Sequence, residues 1–549
     1  MKPNFGDRSI SGKESIMSIL KKLYEKLAFD KPDTRYELLE VESGEPKHLF
    51  GWNDVPPQPP EGKQQSSTEI RENESKLKTM FRFDINKDVV FTKCKAGSKT
   101  CLIVHMTGMA DTDIISDYIM KPILKLAPDD DLTKEELIQN CLEVAETSFE
   151  NDMDRIKLAV MEGRTALFLD GEAYAIIIET RGFEKRSVPD AENEKVVLGP
   201  NEGFNESLRT NITLIRRIIK SDDLVVENKV LGGDNNMGIA IIYRDGVANR
   251  GLIEEVKRRL AKIKTQTLMS TGVIGQLIED SPNSPIPQTL STERPDRTAN
   301  YVMGGAVALL ADGSPFALIM PITISTLMTT SEEIYIRRSQ GSLMRFIRYT
   351  GAIVSLLLPA YFLALALYHQ GLLSTEALST VIQSRQMVFE PLGIEMLLLL
   401  FVFQLIREAG LRVPGAIGQA IGIIGGLILG QAAVAANLAS SVVLIIVALS
   451  GLGNFCVPDY SAQLSASYFR IAFVIAAWLG GLLGLSAAFL VFIAYLANLK
   501  SFGVPFLSPY APKTYAKRPF IMRGKIGMHH RAADYMNTSD DRLKKKYEE

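Results

Sequence analysis

From Tyr349 to Leu499 charged residues become scarce, and Leu, Ile, Val, Ala and Gly dominate. A helix that crosses the hydrocarbon core of a bilayer needs about 20 apolar residues. Tyr349–Tyr368, Val413–Ala436, Leu438–Val457 and Ile471–Leu499 each reach that length. Leu392–Ile406 is shorter, carries Glu395 and Gln404, and is closed by Arg407 and Glu408. The 549 residues exceed what one core can fill. The chain therefore divides into a charged, turn-rich half through 348 and an apolar helical bundle over 349–499.

Basic residues flank the apolar half on both sides. Arg337, Arg338, Arg345 and Arg348 precede it, and Lys500, Lys513, Lys517, Arg518, Arg523 and Lys525 follow it. Short loops rich in Lys and Arg stay on the cytoplasmic side, so an even number of crossings is expected. The simplest solution demotes Leu392–Ile406 to a re-entrant or interfacial helix and leaves four crossings. The rival solution splits Ile471–Leu499 at Gly480–Gly481 into a hairpin. The opening run MKPNFGDRSISGKESIMSILKKLYEKL has no continuous apolar stretch, so the first half is expected to stay in the cytoplasm.

Within Val413–Ala436, Gly418, Gly422, Gly426 and Gly430 recur every four residues and form one stripe. Such a stripe lets two helix backbones approach closely in lipid. Ala420, Ile424, Leu427 and Gln431 lie about 200° round the helix and are candidates to line a pore with an apolar constriction. Ordinary packing within one subunit, with that second face to lipid, explains the same pattern. Glu395 is the acid placed inside an apolar stretch, a functional signal unless a partner such as Arg407 or Arg412 makes it structural.

The first half repeats itself. GRTALFLDGEAYAIII at 163–178 and GAVALLADGSPFALIM at 305–320 each hold two apolar runs around an Asp-Gly pair, the signature of a β-hairpin. Upstream of each come a strand, a glycine loop and an amphipathic helix, at 101–123 and 238–263. The spacing agrees between copies and predicts two duplicated α/β subdomains, at 81–195 and 215–330. A Pro/Gln/Ser-rich arm fills 1–80, a connector 196–214, a basic juxtamembrane segment 331–348 and a basic cytoplasmic tail 500–549.

The connector runs into a helix with Leu208, Ile212, Ile215 and Ile219 on one face. Arg209, Arg216 and Arg217 lie elsewhere on it, as solvated side chains or as candidate contacts to a neighbouring subunit. The loop 276–297 carries Pro282, Pro285, Pro287 and Pro295 and belongs at an interface.

Enzyme chemistry finds no support: there is no phosphate-binding loop, no HExxH and no GxSxG. His48, His105, His369, His529 and His530 are too scattered to meet at a metal, and GGDNN at 232–236 fits a hairpin turn better than a calcium loop. Cys94, Cys101, Cys141 and Cys456 lack metal-type spacing and fit reduced thiols. The net charge of −2 argues against a nucleic-acid partner. No cofactor is implied.

Five segments carry a resemblance: GPNEGFNESLRTNITLIRRIIK (199–220), DGVANRGLIEEVKRRL (245–260), QLIEDSPNSPIPQTLSTERPDR (276–297), REAGLRVPGAIGQAIGIIGGLILGQAAV (407–434) and SFGVPFLSPYAP (501–512). In this order they resemble the A subunits of the GerA-type spore germination receptors of endospore-forming bacteria. The resemblance implies a germinant-receptor subunit in the inner membrane of the dormant spore, with its soluble half and tail on the core side. It implies partnership with a B subunit resembling amino-acid transporters and with a lipoprotein C subunit. It further implies that A subunits form a homo-oligomer around a nutrient-gated ion channel, with Val413–Ala436 as the pore helix. A secondary transporter or a non-conducting scaffold subunit is the competing expectation.

Overall fold

The computed structural model describes residues 65–127, 147–182, 189–232, 235–265, 267–412, 428, 430–511 and 536–538. The first helix, α1 (Ile70–Met80), already belongs to the first subdomain, because Ile70 and Leu77 are buried in its core. The expected boundary at 81 therefore moves upstream.

The first sheet holds β1 (Val89–Ala96), β2 (Lys99–Met106), β3 (Thr147–Glu150), β4 (Thr165–Leu169) and β5 (Ala175–Ile178), in the order β1-β2-β4-β5-β3. Every pairing is antiparallel. Successive side chains of a strand point to opposite faces. Leu102, Val104, Ala166, Phe168, Ala175 and Ile177 accordingly pack on one side under α1 and α2 (Met153–Met161). Cys101, Ile103, Leu167, Leu169, Ile176 and Ile178 pack on the other, beneath Ile115, Ile119 and Ile123. Both faces are covered, which is why β4 and β5 are buried throughout and almost wholly apolar instead of alternating with polar residues.

After α3 (Leu208–Ile218) the pattern returns. The strands β6 (Leu224–Leu231), β7 (Met237–Arg244), β8 (Leu290–Thr292), β9 (Val307–Ala311) and β10 (Ala317–Met320) run β6-β7-β9-β10-β8. This is the first order with each strand moved on by five. Gly171 (φ 87°) and Gly313 (φ 75°) sit in equivalent Asp-Gly turns, and Gly108 (φ 81°) and Gly246 (φ 82°) in equivalent loops. The duplication read from sequence is thus present as topology. GGDNN closes the β6–β7 hairpin, with 233–234 outside the described residues. One face of this sheet packs on α4 (Arg250–Ala261) and α5 (Thr271–Ile278). The other packs on α3 and α6 (Pro295–Met303). The first turns of α3, expected as connector, are part of this core.

Among the described residues the main helices of the apolar half are α7 (Arg338–Tyr368), α8 (Thr375–Arg385), α9 (Leu392–Arg412), α10 (Ser441–Phe455) and α11 (Tyr460–Asn498). By length and composition α7 and α11 could each cross a membrane. A straight helix would hold Phe469 and Phe492 about 35 Å apart, yet their ring centroids are 4.7 Å apart, and Phe469 lies 5.8 Å from Tyr495. So α11 is a helical hairpin that turns at Gly481 (φ 57°, ψ −140°), a conformation open essentially to glycine alone. The single span expected over Ile471–Leu499 gives way to the rival expectation of a Gly480–Gly481 hairpin. Likewise α9 is one continuous helix of 21 residues; it extends past the short apolar stretch that had suggested a re-entrant piece.

These helices have a near end, at the sheets, and a far end. At the near end Tyr349 of α7 meets Tyr510 at 3.3 Å, and at the far end Tyr368 donates to the Trp478 carbonyl at 2.7 Å, beside the hairpin apex. Both α9 and α10 descend from the far end, where Glu395 meets Ser440, toward the near end, where Phe403 meets Phe455. Pro359 within α7 cannot donate to the Ser355 carbonyl, and the Ser450 hydroxyl of α10 fills that vacancy at 2.8 Å. Large apolar side chains such as Ile353, Phe401, Ile445, Leu479, Leu483 and Leu490 stand exposed around the outside.

Candidate functional site

Contacts between the two halves form a junction at the near end. The chain leaves α11 and turns back at once through β11 (Lys500–Ser501) and β12 (Val504–Pro505). Two residues make the turn, Phe502 (φ 49°) and Gly503 (φ 81°). This is the primed turn that suits a two-residue hairpin, at some strain for a phenylalanine. Burial holds it there: Phe502 and Val504 are inserted into the core of the second sheet, and Phe506 packs beside them. Residues 500–511, expected as the start of a tail, are therefore part of the folded core.

Of the stretch 276–297, expected to be one loop, the ends are structured as α5, β8 and α6; the loop 279–289 between α5 and β8 completes the junction and lies at an interface formed within the chain. Asp280 accepts from the Phe502 amide and from Arg259 Nη2, both at 2.5 Å, and the Arg259 guanidinium stacks over the Phe502 ring at 4.4 Å. Ser501 Oγ donates to the Gln288 carbonyl at 2.6 Å and accepts from the Ile322 amide at 3.0 Å. The loop also touches both arms of the hairpin, through Pro285 to Ser465 and through Ser284 to Tyr495 at 2.7 Å. At the foot of α7, Arg345 and Arg348 both grip the buried Glu333. Burial pushes the Asp280 carboxyl above the usual range against the pull of Arg259, and burial raises Glu279 against bonds from Gln288 and Thr289. None of Asp280, Arg259, Glu333 or Phe502 was singled out from sequence. Asp280, Arg259 and Phe502 do fall in three of the five segments that carry the family resemblance, but nothing in those segments marked these residues individually.

The sequence-selected residues are dispersed. Ala420, Ile424, Leu427, Gly418, Gly422 and Gly426 lie outside the described residues. Gln431 is exposed, and Gly430 packs toward Leu444 of α10, a β-carbon there falling 3.4 Å from its Cδ2. Glu395 is fully buried and accepts from the Ser440 amide and hydroxyl, each at 2.7 Å, and from Arg385 at 3.3 Å. Its ion-pair partner is thus Arg385, in place of the expected Arg407 or Arg412, and Glu395 ties α8, α9 and the start of α10 together.

The three arginines of α3 line the seam between subdomains. Arg216 is 5% exposed and pairs with Asp88 at 2.7 Å while reaching Asn86 at 2.9 Å. Arg209 runs along the Gly108 loop, and Arg217 meets Glu202 at 3.2 Å. His105 is buried next to this seam; burial first, and the Arg209 charge second, hold its imidazole below the ordinary value. Among the described residues no group of His, Cys, Asp and Glu gathers as a metal site.

A fold of two repeated sheets clamped to apolar helices can be set beside known proteins. The family model described as Bacillus/Clostridium GerA spore germination protein matches residues 75–534. Spore germination protein GerLA of Bacillus cereus is 34% identical over 455 residues, which cover 82% of this chain and 92% of that protein. The uncharacterized membrane protein YfkQ of Bacillus subtilis (strain 168) is 34% identical over 426 residues, 77% of this chain and 83% of that one. A solved structure, the N-terminal domain of the A subunit of the Bacillus megaterium spore germinant receptor GerK3, aligns with 47% of this chain and 96% of its own at 26% identity and a TM-score of 0.37. The match runs through both sheets, the junction and the apolar helices alike, and the chain belongs to the Bacillus/Clostridium GerA family of spore germination proteins.

Proposed function

We propose that this chain is the A subunit of a nutrient germinant receptor in the spore inner membrane, and that copies of it assemble into an ion channel opened by germinant. The observation that carries the reading is the junction. The first helix of the apolar half and the return arm of its last are both locked to the second sheet, through Glu333 and through Asp280–Phe502. A displacement in the sheets therefore reaches the helices without passing through a flexible linker. The relatives' names supply germination as the setting. A B subunit resembling amino-acid transporters would recognise the germinant, with a lipoprotein C subunit completing the complex.

In this reading the exposed apolar exterior faces lipid, where a helix must satisfy its own backbone. The helices α7, α9, α10 and the two arms of α11 account for five traversals. The helix α7 starts at the near end and the return arm of α11 finishes there, so the number of traversals is even. The soluble half and the C-terminal segment then share the core side of the membrane. The apolar stretch Val413–Ala436 carries the proposed pore face Ala420, Ile424, Leu427 and Gln431, with the stripe Gly418, Gly422, Gly426 and Gly430 proposed as its packing face toward a neighbouring helix or subunit.

The test is reconstitution of the receptor in liposomes. A channel gives passive cation flux far above carrier rates, raised by Leu427→Ala, which widens the constriction. A slow, saturable, gradient-coupled uptake unchanged by that substitution would mean a transporter. Absence of flux in an assembled complex would mean a scaffold.

A further inference from the structure

Two arginines on helices that pack against each other are buried inside the bundle. Arg470 of α11 is 2% exposed and Arg407 of α9 is 8% exposed. Arg470 is solvated by neutral oxygens alone: Nη1 donates to Ser450 Oγ at 3.1 Å and to Ser355 Oγ at 3.5 Å, and Nη2 to Ser467 Oγ at 3.4 Å. The hydrogens of those hydroxyls are engaged elsewhere, on the Ser355 carbonyl, on Asn454 Oδ1 and on the Gln463 carbonyl. Their lone pairs are thus fixed toward the guanidinium. Arg470 Nε finds no acceptor. On Arg407, Nε, Nη1 and Nη2 all lack one, as Gln404 Oε1 one turn earlier lacks a donor. Among the described residues neither arginine has an acid partner, and Arg470 feels the positive charge of Arg407.

Two positive charges buried together, with donors aimed at nothing, are costly in any protein interior and more so in lipid. Residues retained under that penalty ordinarily face a counter-charge, and guanidinium donors fit small anions in particular. We propose that the bundle holds one small monovalent anion between the guanidiniums of Arg407 and Arg470. Its walls come from four helices, α7, α9, α10 and α11, so occupancy would stitch them together. The site stands or falls separately from conduction, because it is read by binding.

The experiment uses the full chain in lipid nanodiscs with radiolabelled chloride as probe and acetate as competitor, at constant ionic strength. Saturable binding of about one chloride per chain, displaced by acetate, is expected. Arg407→Gln and Arg470→Gln should each weaken it by roughly tenfold or more, the effect of losing a charge-assisted hydrogen bond, while Arg407→Lys keeps part of it. Should the Gln variants fail to fold, the unaltered chain still answers: chloride and acetate should raise its melting temperature, and the bulkier gluconate should not. Absence of saturable chloride binding by the folded chain, or affinity unchanged in both Gln variants, overturns the proposal. Either result would leave an acidic side chain of a neighbouring subunit as the counter-charge.

Discussion

A guanidinium shut between two folded units keeps its place through the acid opposite it. Arg216 and Asp88 are 5% and 8% exposed and come from different subdomains. Removing one partner strands the other in a poor solvent, whereas removing both leaves a surface that apolar groups can fill. Arg216→Ala should destabilise the soluble half by about 3–5 kcal/mol, seen as a lowered urea midpoint of the purified chain. The double variant Arg216→Met with Asp88→Leu should recover most of that loss, and an equal loss in both would show that the pair itself holds the seam. The helix around Arg216 was legible in sequence: Ser207 caps it by accepting from Thr210 N, and Ile212, Ile215 and Ile219 bury as their spacing predicts. The partner of Arg216 was not, because Asp88 stands 128 residues away and no local pattern encodes a pairing at that distance. The partner of Glu395 was missed for a different reason: Arg385, ten residues away, lies on a helix that hydropathy does not mark.

At the scale of elements, period and punctuation marked the inner strands of the sheets but missed edge strands such as β1, β3 and β8. Asp170–Gly171 and Asp312–Gly313 announced their hairpins, and repetition of the unit foretold a second copy of the subdomain, though not the strand order. Hydropathy was a weaker guide in the bundle, since it measures how much apolar chain there is and is blind to where a helix reverses. In α11 the sole local mark of reversal is Gly480–Gly481. A β-carbon at Gly481 would sit 3.0 Å from Tyr368 atoms, and φ of 57° with ψ of −140° adds strain for any other residue, of the order of 1–3 kcal/mol. With Cys94, Cys101, Cys141 and Cys456 replaced by Ser, the pair Phe469→Cys and Phe492→Cys should be joined within one chain by a short thiol crosslinker in native membranes. A continuous helix would keep the two thiols about 35 Å apart and out of reach, so no crosslink would refute the hairpin. Adding Gly481→Leu to the pair should reduce the yield sharply.

For the whole molecule the question is how a change in the sheets would reach the helices. Stiffness decides this, since packed interfaces move as units between discrete arrangements and do not bend continuously. At the junction Asp280 joins three parts: the loop it sits on, Arg259 of α4, and the backbone of the turn after α11. Asp280→Asn removes the charge that holds the Phe502 amide but leaves Arg259 with Glu255 at 2.6 Å and the Ile278 carbonyl at 2.6 Å. The fold should therefore persist, while the tie between sheet and helix loses about 1.5–3 kcal/mol, the contribution of a hydrogen bond to a charged group. Spores carrying this variant should hold normal amounts of the A subunit, measured by immunoblot, yet respond to germinant roughly tenfold more slowly, as expected when a coupling of that size is lost. Glu333→Gln, which loosens Arg345 and Arg348 at the foot of α7, should act in the same direction through the other end of the bundle. If both variants germinate at the unaltered rate with the subunit present, the sheets and helices move independently, and any signal from germinant must enter the bundle through lipid-facing contacts with another subunit.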